Sequence, residues 1–143
     1  MSTNMRMNTN TTTPEKIIYP ELSYVLTGIL FSVHNELGMF AREKQYGDLI
    51  EIKLKEIKIP YKREQSMASS GNIADFIVDE KIILELKAKI DITPDDYRQI
   101  QNYLQSSLLK LGLLVNFRKK YLRPIRIVRI DNYKDKKANI RIH

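Results

Sequence analysis

Ile73-Ala74-Asp75-Phe76-Ile77-Val78-Asp79-Glu80-Lys81-Ile82-Ile83-Leu84-Glu85-Leu86-Lys87 is the stretch that decides the fold of this 143-residue chain. Two apolar runs flank a charged turn, Asp79-Glu80-Lys81, and three ionisable residues are set into the runs. Side chains alternate along a strand. The alternation predicts Ile73, Asp75 and Ile77 on one face of the first strand and Ala74, Phe76 and Val78 on the other. In the second strand Ile83, Glu85 and Lys87 oppose Ile82, Leu84 and Leu86. A three-residue hairpin loop sets Asp75 directly opposite Glu85. Two neighbouring carboxylates repel and lose hydration, so the pair requires a cation or a shared proton. Lys87 falls on the face of Glu85.

Working outward, residues 1–13 are rich in Thr and Asn, lack apolar periodicity and are expected to be a disordered tail. From Pro20, Leu22, Val25, Leu26, Ile29, Leu30, Val33 and Leu37 recur at helical steps, and Gly38 makes a natural stop. His34 on the edge of this stripe is the kind of histidine that a core usually satisfies by hydrogen bonding. A second helix is predicted from about Phe40 to Lys58, with Tyr46, Leu49, Ile50, Leu54 and Ile57 as its apolar stripe. Glu43, three residues before Tyr46 and seven before Ile50, belongs to that inward stripe, where a carboxylate needs a partner. A first-turn glutamate favourable to the helix dipole is the alternative.

Pro60 ends this helix. Tyr61 to Ala68 reads as a strand, and Ser69-Ser70-Gly71-Asn72 as a turn leading into the hairpin. After Lys87, Thr93-Pro94-Asp95-Asp96 supplies an N-cap, a proline at the first helical position and a carboxylate that can reach back. That third helix runs through Tyr97, Ile100, Tyr103, Leu104 and Leu108, with Gln99 and Tyr103 on one face. Leu111 to Phe117 is a strand buried on both sides, and Arg123 to Ile130 is another. The order is α-α-β-β-β-α-β-β, and an α/β sandwich on one mixed sheet follows. Residues 14–131 form the domain and 132–143 a basic tail.

With 43% hydrophobic residues, a core forms without metal or disulfide staples. There is no cysteine, which excludes thiolate metal sites and cysteine nucleophiles. No apolar run suits a membrane span or a secretory leader, so a cytoplasmic protein without a membrane partner is the expectation. The net charge of +7 is localised. Residues 118–143 hold ten Lys/Arg against Asp131 and Asp135, whereas residues 1–117 are nearly balanced. A basic surface of that kind suits a polyanion, with Arg123, Arg126 and Arg129 as its candidates on charge alone; a solvated tail is equally consistent.

Asp75, Glu85 and Glu43 offer only oxygen donors, which select Mg²⁺ or Mn²⁺. Lys87 beside them could position a water or stabilise charge on a phosphate. Taken alone, Asp-x₉-Glu-x-Lys is a loose pattern, and a structural charge cluster across a hairpin remains open. No Gly-x-Ser-x-Gly and no glycine-rich phosphate loop is present.

Six segments stand in the order and near-spacing of one family: Val33-His34-Asn35-Glu36-Leu37-Gly38, Glu43-Lys44-Gln45-Tyr46, Ile73-Ala74-Asp75-Phe76, Leu84-Glu85-Leu86-Lys87-Ala88, Gln99-Ile100-Gln101-Asn102-Tyr103-Leu104 and Leu111-Gly112-Leu113-Leu114-Val115-Asn116-Phe117. From Leu22 to Phe117 the chain resembles the family named for its GxxExxY motif, a branch of the PD-(D/E)XK nuclease superfamily. The resemblance implies a restriction-endonuclease-like core, a mixed β-sheet flanked by helices, with the metal site on the hairpin. It implies Asp75 and Glu85 as ligands of Mg²⁺ or Mn²⁺, Lys87 as the catalytic lysine and Glu43 as a helper that holds the metal. Gln99 and Tyr103 match a QxxxY signature that lines such sites near substrate phosphate. The implied activity is nuclease action on nucleic acid, DNA more than RNA, and many nucleases of this fold form homodimers. One departure is that Phe40 stands where the family motif opens with glycine, which raises the alternative of an inactive nuclease-fold module that binds nucleic acid or protein.

Overall fold

The computed structural model describes residues 18–66 and 73–133. The expected N-terminal tail, the Ser69–Asn72 turn cluster and most of the basic tail lie outside the described residues.

Helix α1 spans Pro20–Leu37, with proline in its first turn. It stops where Gly38 turns to φ 75° and donates its N–H to the His34 carbonyl, a left-handed conformation that costs glycine nothing. Leu26, Ile29, Leu30 and Val33 form the buried stripe, while Val25, expected within it, is exposed.

Helix α2 spans Glu43–Glu56, so it begins three residues later than the apolar pattern suggested. The cause is Tyr46. Its hydroxyl donates to the Gly38 carbonyl at 2.6 Å and accepts from the Ala41 N–H at 3.1 Å, which holds residues 38–41 as a loop. Gln45 then caps the new start by accepting the Arg42 N–H at 2.9 Å, satisfying one of the donors that a helix start leaves orphaned.

Strands β1 (Tyr61–Ser66), β2 (Ile73–Val78), β3 (Ile82–Lys87), β4 (Leu111–Asn116) and β5 (Ile125–Val128) lie side by side in chain order. All neighbours are antiparallel except β3 and β4, which run parallel and are joined through helix α3, Pro94–Ser107. The capping box expected at Thr93 and Asp96 is formed. Strand β4 is buried along its whole length, as its continuous apolar run requires.

The sheet separates two cores. Helices α1 and α2 cover Phe76, Val78, Leu84, Leu86, Leu113 and Val115. Helix α3 covers Ala74, Ile83 and Leu114 with Ile100, Tyr103 and Leu104. Each fully buried leucine or isoleucine contributes roughly 2 kcal/mol, so both faces anchor the central strands firmly. The result is an α/β restriction-endonuclease-like fold with the expected element order. Among the described residues, no helix is long and apolar enough to cross a membrane.

Candidate active site

The hairpin register follows from its turn. Asp79 and Glu80 both adopt positive φ, and the Lys81 N–H donates to the Val78 carbonyl. Val78 then pairs with Ile82, Ile77 with Ile83 and Phe76 with Leu84. The ladder stops there, one position short of Asp75 and Glu85. Side chains take over from backbone at that point. The Leu86 N–H donates to Asp75 Oδ2 at 2.7 Å, and the Asp75 N–H approaches Glu85 Oε1 at 3.4 Å. The two carboxylates are thus built into the hydrogen bonding of the hairpin that presents them.

The expected alternation fails at this point. Ala74 packs in the α3 core while Phe76 packs in the α1/α2 core, although both have the same parity. Asp75 and Phe76 together line a cleft of about 220 Å³ with Glu43, Lys44, Arg63, Glu64 and Leu86. Asp75 therefore turns toward α2, not toward the face of Ile77. The opposing residue shows why. Glu64, which would pair with Asp75, has φ 54°, and β1 pairs with β2 on either side of it, at Arg63–Phe76 and Gln65–Ala74. A left-handed residue inside a strand redirects the ladder locally.

Glu43 follows the alternative expectation, a first-turn glutamate, and not the inward-facing one. It is the first residue of α2 and is exposed, because the helix starts at Glu43 and not at Phe40. It rims the Asp75 cleft instead of facing the core. Its charge still reaches Asp75.

Glu85 and Lys87 lie toward α3. The Lys87 ammonium is 3.5 Å from Glu85 Oε2, donates to Gln99 Oε1 at 3.2 Å and stands 3.8 Å from Asp96 Oδ1. Gln99 therefore meets the site through Lys87. Tyr103 is buried, and its hydroxyl donates to the Ile73 carbonyl at 2.8 Å, tying α3 to the start of β2. Burial, then the charges of Glu85 and Asp75, push its phenol well above the usual tyrosine range.

The carboxylates pay electrostatically for this arrangement. Burial first, and the Asp75 charge second, push Glu85 up to about 8, with Lys87 acting in the opposite direction. Burial also raises Asp75; the Leu86 N–H opposes this, the Glu43 charge adds to it, and Lys87 opposes it. Removal from water disfavours a charged carboxylate, and a second carboxylate adds to the cost.

Asp96 and Lys89 belong to the same neighbourhood, although in the sequence Asp96 signalled only a helix cap. Lys89 Nζ is 2.7 Å from Asp96 Oδ2. Burial works to raise Asp96, but hydrogen bonds from Lys89 and Thr93, with the Lys87 charge, hold it below the usual carboxylate range. The signal available in the sequence was Lys87-x-Lys89, two lysines at strand spacing ahead of an acidic helix start.

The basic candidates divide. Arg126 donates to the Ser23 hydroxyl and to the Ile18 carbonyl, pinning β5 to the start of α1. Arg129 donates to the carbonyls of Leu108 and Leu109. Arg123 is exposed and lines a separate groove beside Asn116. His34 is structural, as expected: Nε2 donates to the Lys119 carbonyl at 2.8 Å. Phe40 is 78% exposed under Arg118, 5.8 Å from its ring centroid, and is not among the residues that line the Asp75 cleft.

Among the described residues, no group of three His, Cys, Asp or Glu side chains is drawn together as a metal cage. Asp75 and Glu85, joined through the Asp75 N–H, and Glu43 at the rim of the Asp75 cleft nevertheless supply the oxygen donors that suit a hard cation such as Mg²⁺, which typically takes one or two carboxylates and keeps its waters. A family model described as the PD-(D/E)XK nuclease superfamily matches residues 20–129. No curated protein and no solved structure matches the chain. The superfamily generally hydrolyses phosphodiester bonds in nucleic acid and typically uses divalent metal ions. With the match running from α1 through β5, over the hairpin that holds Asp75, Glu85 and Lys87, the chain belongs to the PD-(D/E)XK nuclease superfamily.

Proposed function

We propose that this protein is a metal-dependent nuclease of the GxxExxY branch, that residues 14–131 are its nuclease domain and that DNA is its substrate. The observation that carries the reading is the Asp75–Glu85 pair, a half-buried and a buried carboxylate that are both raised, Glu85 in part by the Asp75 charge, while one ammonium stands 3.5 Å from Glu85. A folded protein keeps such a pair at a cost, and a divalent cation removes that cost.

In this reading Asp75 and Glu85 hold Mg²⁺ or Mn²⁺, and Glu43 contributes from the cleft rim. When bound, the cation supplies positive charge that polarises the phosphodiester and acidifies water. Lys87 orients the attacking water and stabilises charge on the phosphate, with its own position set by Gln99 and Asp96. Tyr103 keeps α3 against β2 so that Gln99 stays in reach of Lys87.

The test is cleavage of plasmid, linear duplex and single-stranded DNA by the purified chain with Mg²⁺, Mn²⁺ or EDTA. Metal-dependent cleavage that falls by about 10³-fold in Asp75→Ala and in Lys87→Ala supports the reading. Absence of cleavage with either metal, or cleavage undiminished in both variants, removes it. An inactive module would owe its inactivity to Phe40, but that side chain leaves the cleft lining free.

A further inference from the structure

We propose that the groove beside the end of β4, lined by Ile92, Tyr121, Ile125, Lys120 and Arg123, binds an unpaired nucleotide of the substrate strand. This deepens the nuclease reading and rests on it for the identity of the ligand as nucleic acid.

The groove encloses about 410 Å³ between the segment after β3 and the loop that joins β4 to β5. Ligand sites for small organic groups begin at about 300 Å³, so one base with its sugar is the right scale. Ile92 and Ile125 supply an apolar floor and also pack against the α3 core, which keeps that floor rigid. Tyr121 lines the same groove and is 78% exposed. The Lys120 ammonium lies 5.5 Å from the centre of the Tyr121 ring, so one ring face is already electrostatically engaged. An exposed aromatic ring beside an apolar floor, with cations in the same groove, is the composition that holds single strands. Bases stack on the ring, and phosphates meet the cations.

The loop is a built structure. Asn116 accepts the Lys89 N–H at 3.1 Å and the Arg118 N–H at 3.2 Å, and it donates to the Lys89 carbonyl at 2.8 Å. His34 holds the Lys119 carbonyl from the other side, and Lys119 pairs with Asp91 at 3.1 Å. Lys120 and Arg123 are left at the rim. Both are exposed, and neither has an ion-pair partner among the described residues.

Continuity with the reaction site comes from the sheet. Asn116 is the registered partner of Lys87 in the parallel β3–β4 pair, and adjacent strands lie about 4.8 Å apart. A strand whose scissile phosphate rests near Lys87 thus passes the groove within a nucleotide or two. The carboxyl ends of parallel strands are where α/β sheets commonly receive ligands. A duplex offers no free base face to Tyr121; an unpaired nucleotide does.

The experiment measures binding of the full chain, in EDTA so that no cleavage occurs, by fluorescence anisotropy. The probes are a labelled twelve-nucleotide oligothymidine and a labelled twelve-base-pair duplex. The expected result is tighter binding of the single strand. Tyr121→Ala weakens it by about tenfold, Tyr121→Phe restores it, and duplex binding is unaltered in both. Replacing Lys120 and Arg123 with Gln lowers the slope of log affinity against log salt by about 1.4. Equal or tighter duplex binding, or single-strand binding unchanged in Tyr121→Ala, overturns the proposal. So does an unchanged salt slope in the double variant. Nuclease action is read separately through Asp75→Ala in metal. Cleavage without a Tyr121 effect sinks the groove and spares the nuclease, while a Tyr121 effect without cleavage does the reverse.

Discussion

Two acidic clusters adjoin one cleft, which Arg63 and Asp75 both line, and have opposite electrostatic fates. Asp48 and Glu51 on α2 meet Arg63 of β1 at 2.7 and 2.9 Å, and Tyr61 donates a further hydrogen bond to Glu51. The Arg63 and Lys44 hydrogen bonds hold Asp48 below the usual carboxylate range, and the Tyr61 and Arg63 bonds do the same for Glu51. Asp75, half-buried, and Glu85, buried, on adjacent strands of the sheet, are both raised. The first cluster is neutralised from within the chain. The second contains one ammonium for two carboxylates, and Gln99 and Asp96 also compete for that ammonium. A cluster complete in itself is a fastener, whereas one short of positive charge is prepared to receive it.

The largest expected effect tests the deficit directly. Glu85 has its folded value raised from the ordinary 4.5 to about 8. The folded state therefore binds more protons than the unfolded one between those values, and stability is lost as pH rises through that window. In EDTA the thermal midpoint should fall between pH 5 and pH 8.5, on the order of 5–10 °C beyond any general trend. Glu85→Gln should flatten most of that fall, leaving a remainder from Asp75, and saturating Mg²⁺ or Mn²⁺ should flatten it in the native chain. A profile identical in the variant and the native chain would mean that the pair is not strained at all.

Breaking the completed cluster should do something different. Arg63→Ala leaves Asp48 only Lys44 and Glu51 only Tyr61, and uncovers Phe76, over which the guanidinium lies at 5.4 Å. The expected loss is about 3–5 °C in midpoint by calorimetry at pH 7, with the pH profile of the Glu85 region retained. A loss of that profile would couple the two clusters.

The smallest effect refines the same contrast. Gly47 lies inside α2, where Gly→Ala ordinarily gains about 1 kcal/mol. A methyl group there would stand 2.5 Å from an Arg63 guanidinium nitrogen, and Asp48 and Glu51 hold that guanidinium in place. Gly47→Ala should therefore gain no stability in urea denaturation. A full gain would show that Arg63 moves freely and that its cluster is loosely held.

Where the sequence alone specifies the structure, the determinants are local. Turn length set the hairpin register through Phe76–Leu84, and Thr93-Pro94-Asp95-Asp96 set the start of α3. Glu85 and Lys87 are legible because strict alternation survives in β3, whose pairing with β4 is unbroken from Ile82 to Lys87. Asp75 was misplaced by one face because Glu64, on the opposite strand, adopts a left-handed conformation that no period-two pattern encodes. Glu43 was turned inward because the apolar pattern placed the start of α2 at Phe40, whereas the Tyr46 hydroxyl holds residues 38–41 as a loop. Charge alone places Arg126 and Arg129 on a basic surface, whereas they donate to Ser23 and to backbone carbonyls.

By itself, then, the order of residues determined the element sequence, the central hairpin and the presence of two carboxylates and a lysine at strand spacing. These depend on periodicity, turn length and capping, which act over a few residues. Only the tertiary structure decided that Asp75 opens toward α2, that Glu85 and Lys87 lie toward α3, and that Gln99 and Asp96 set the ammonium between them. Those outcomes depend on burial and on partners distant in the chain and on separate elements. The strain in the Asp75–Glu85 pair, from which the functional reading starts, exists only once the sheet has closed around it.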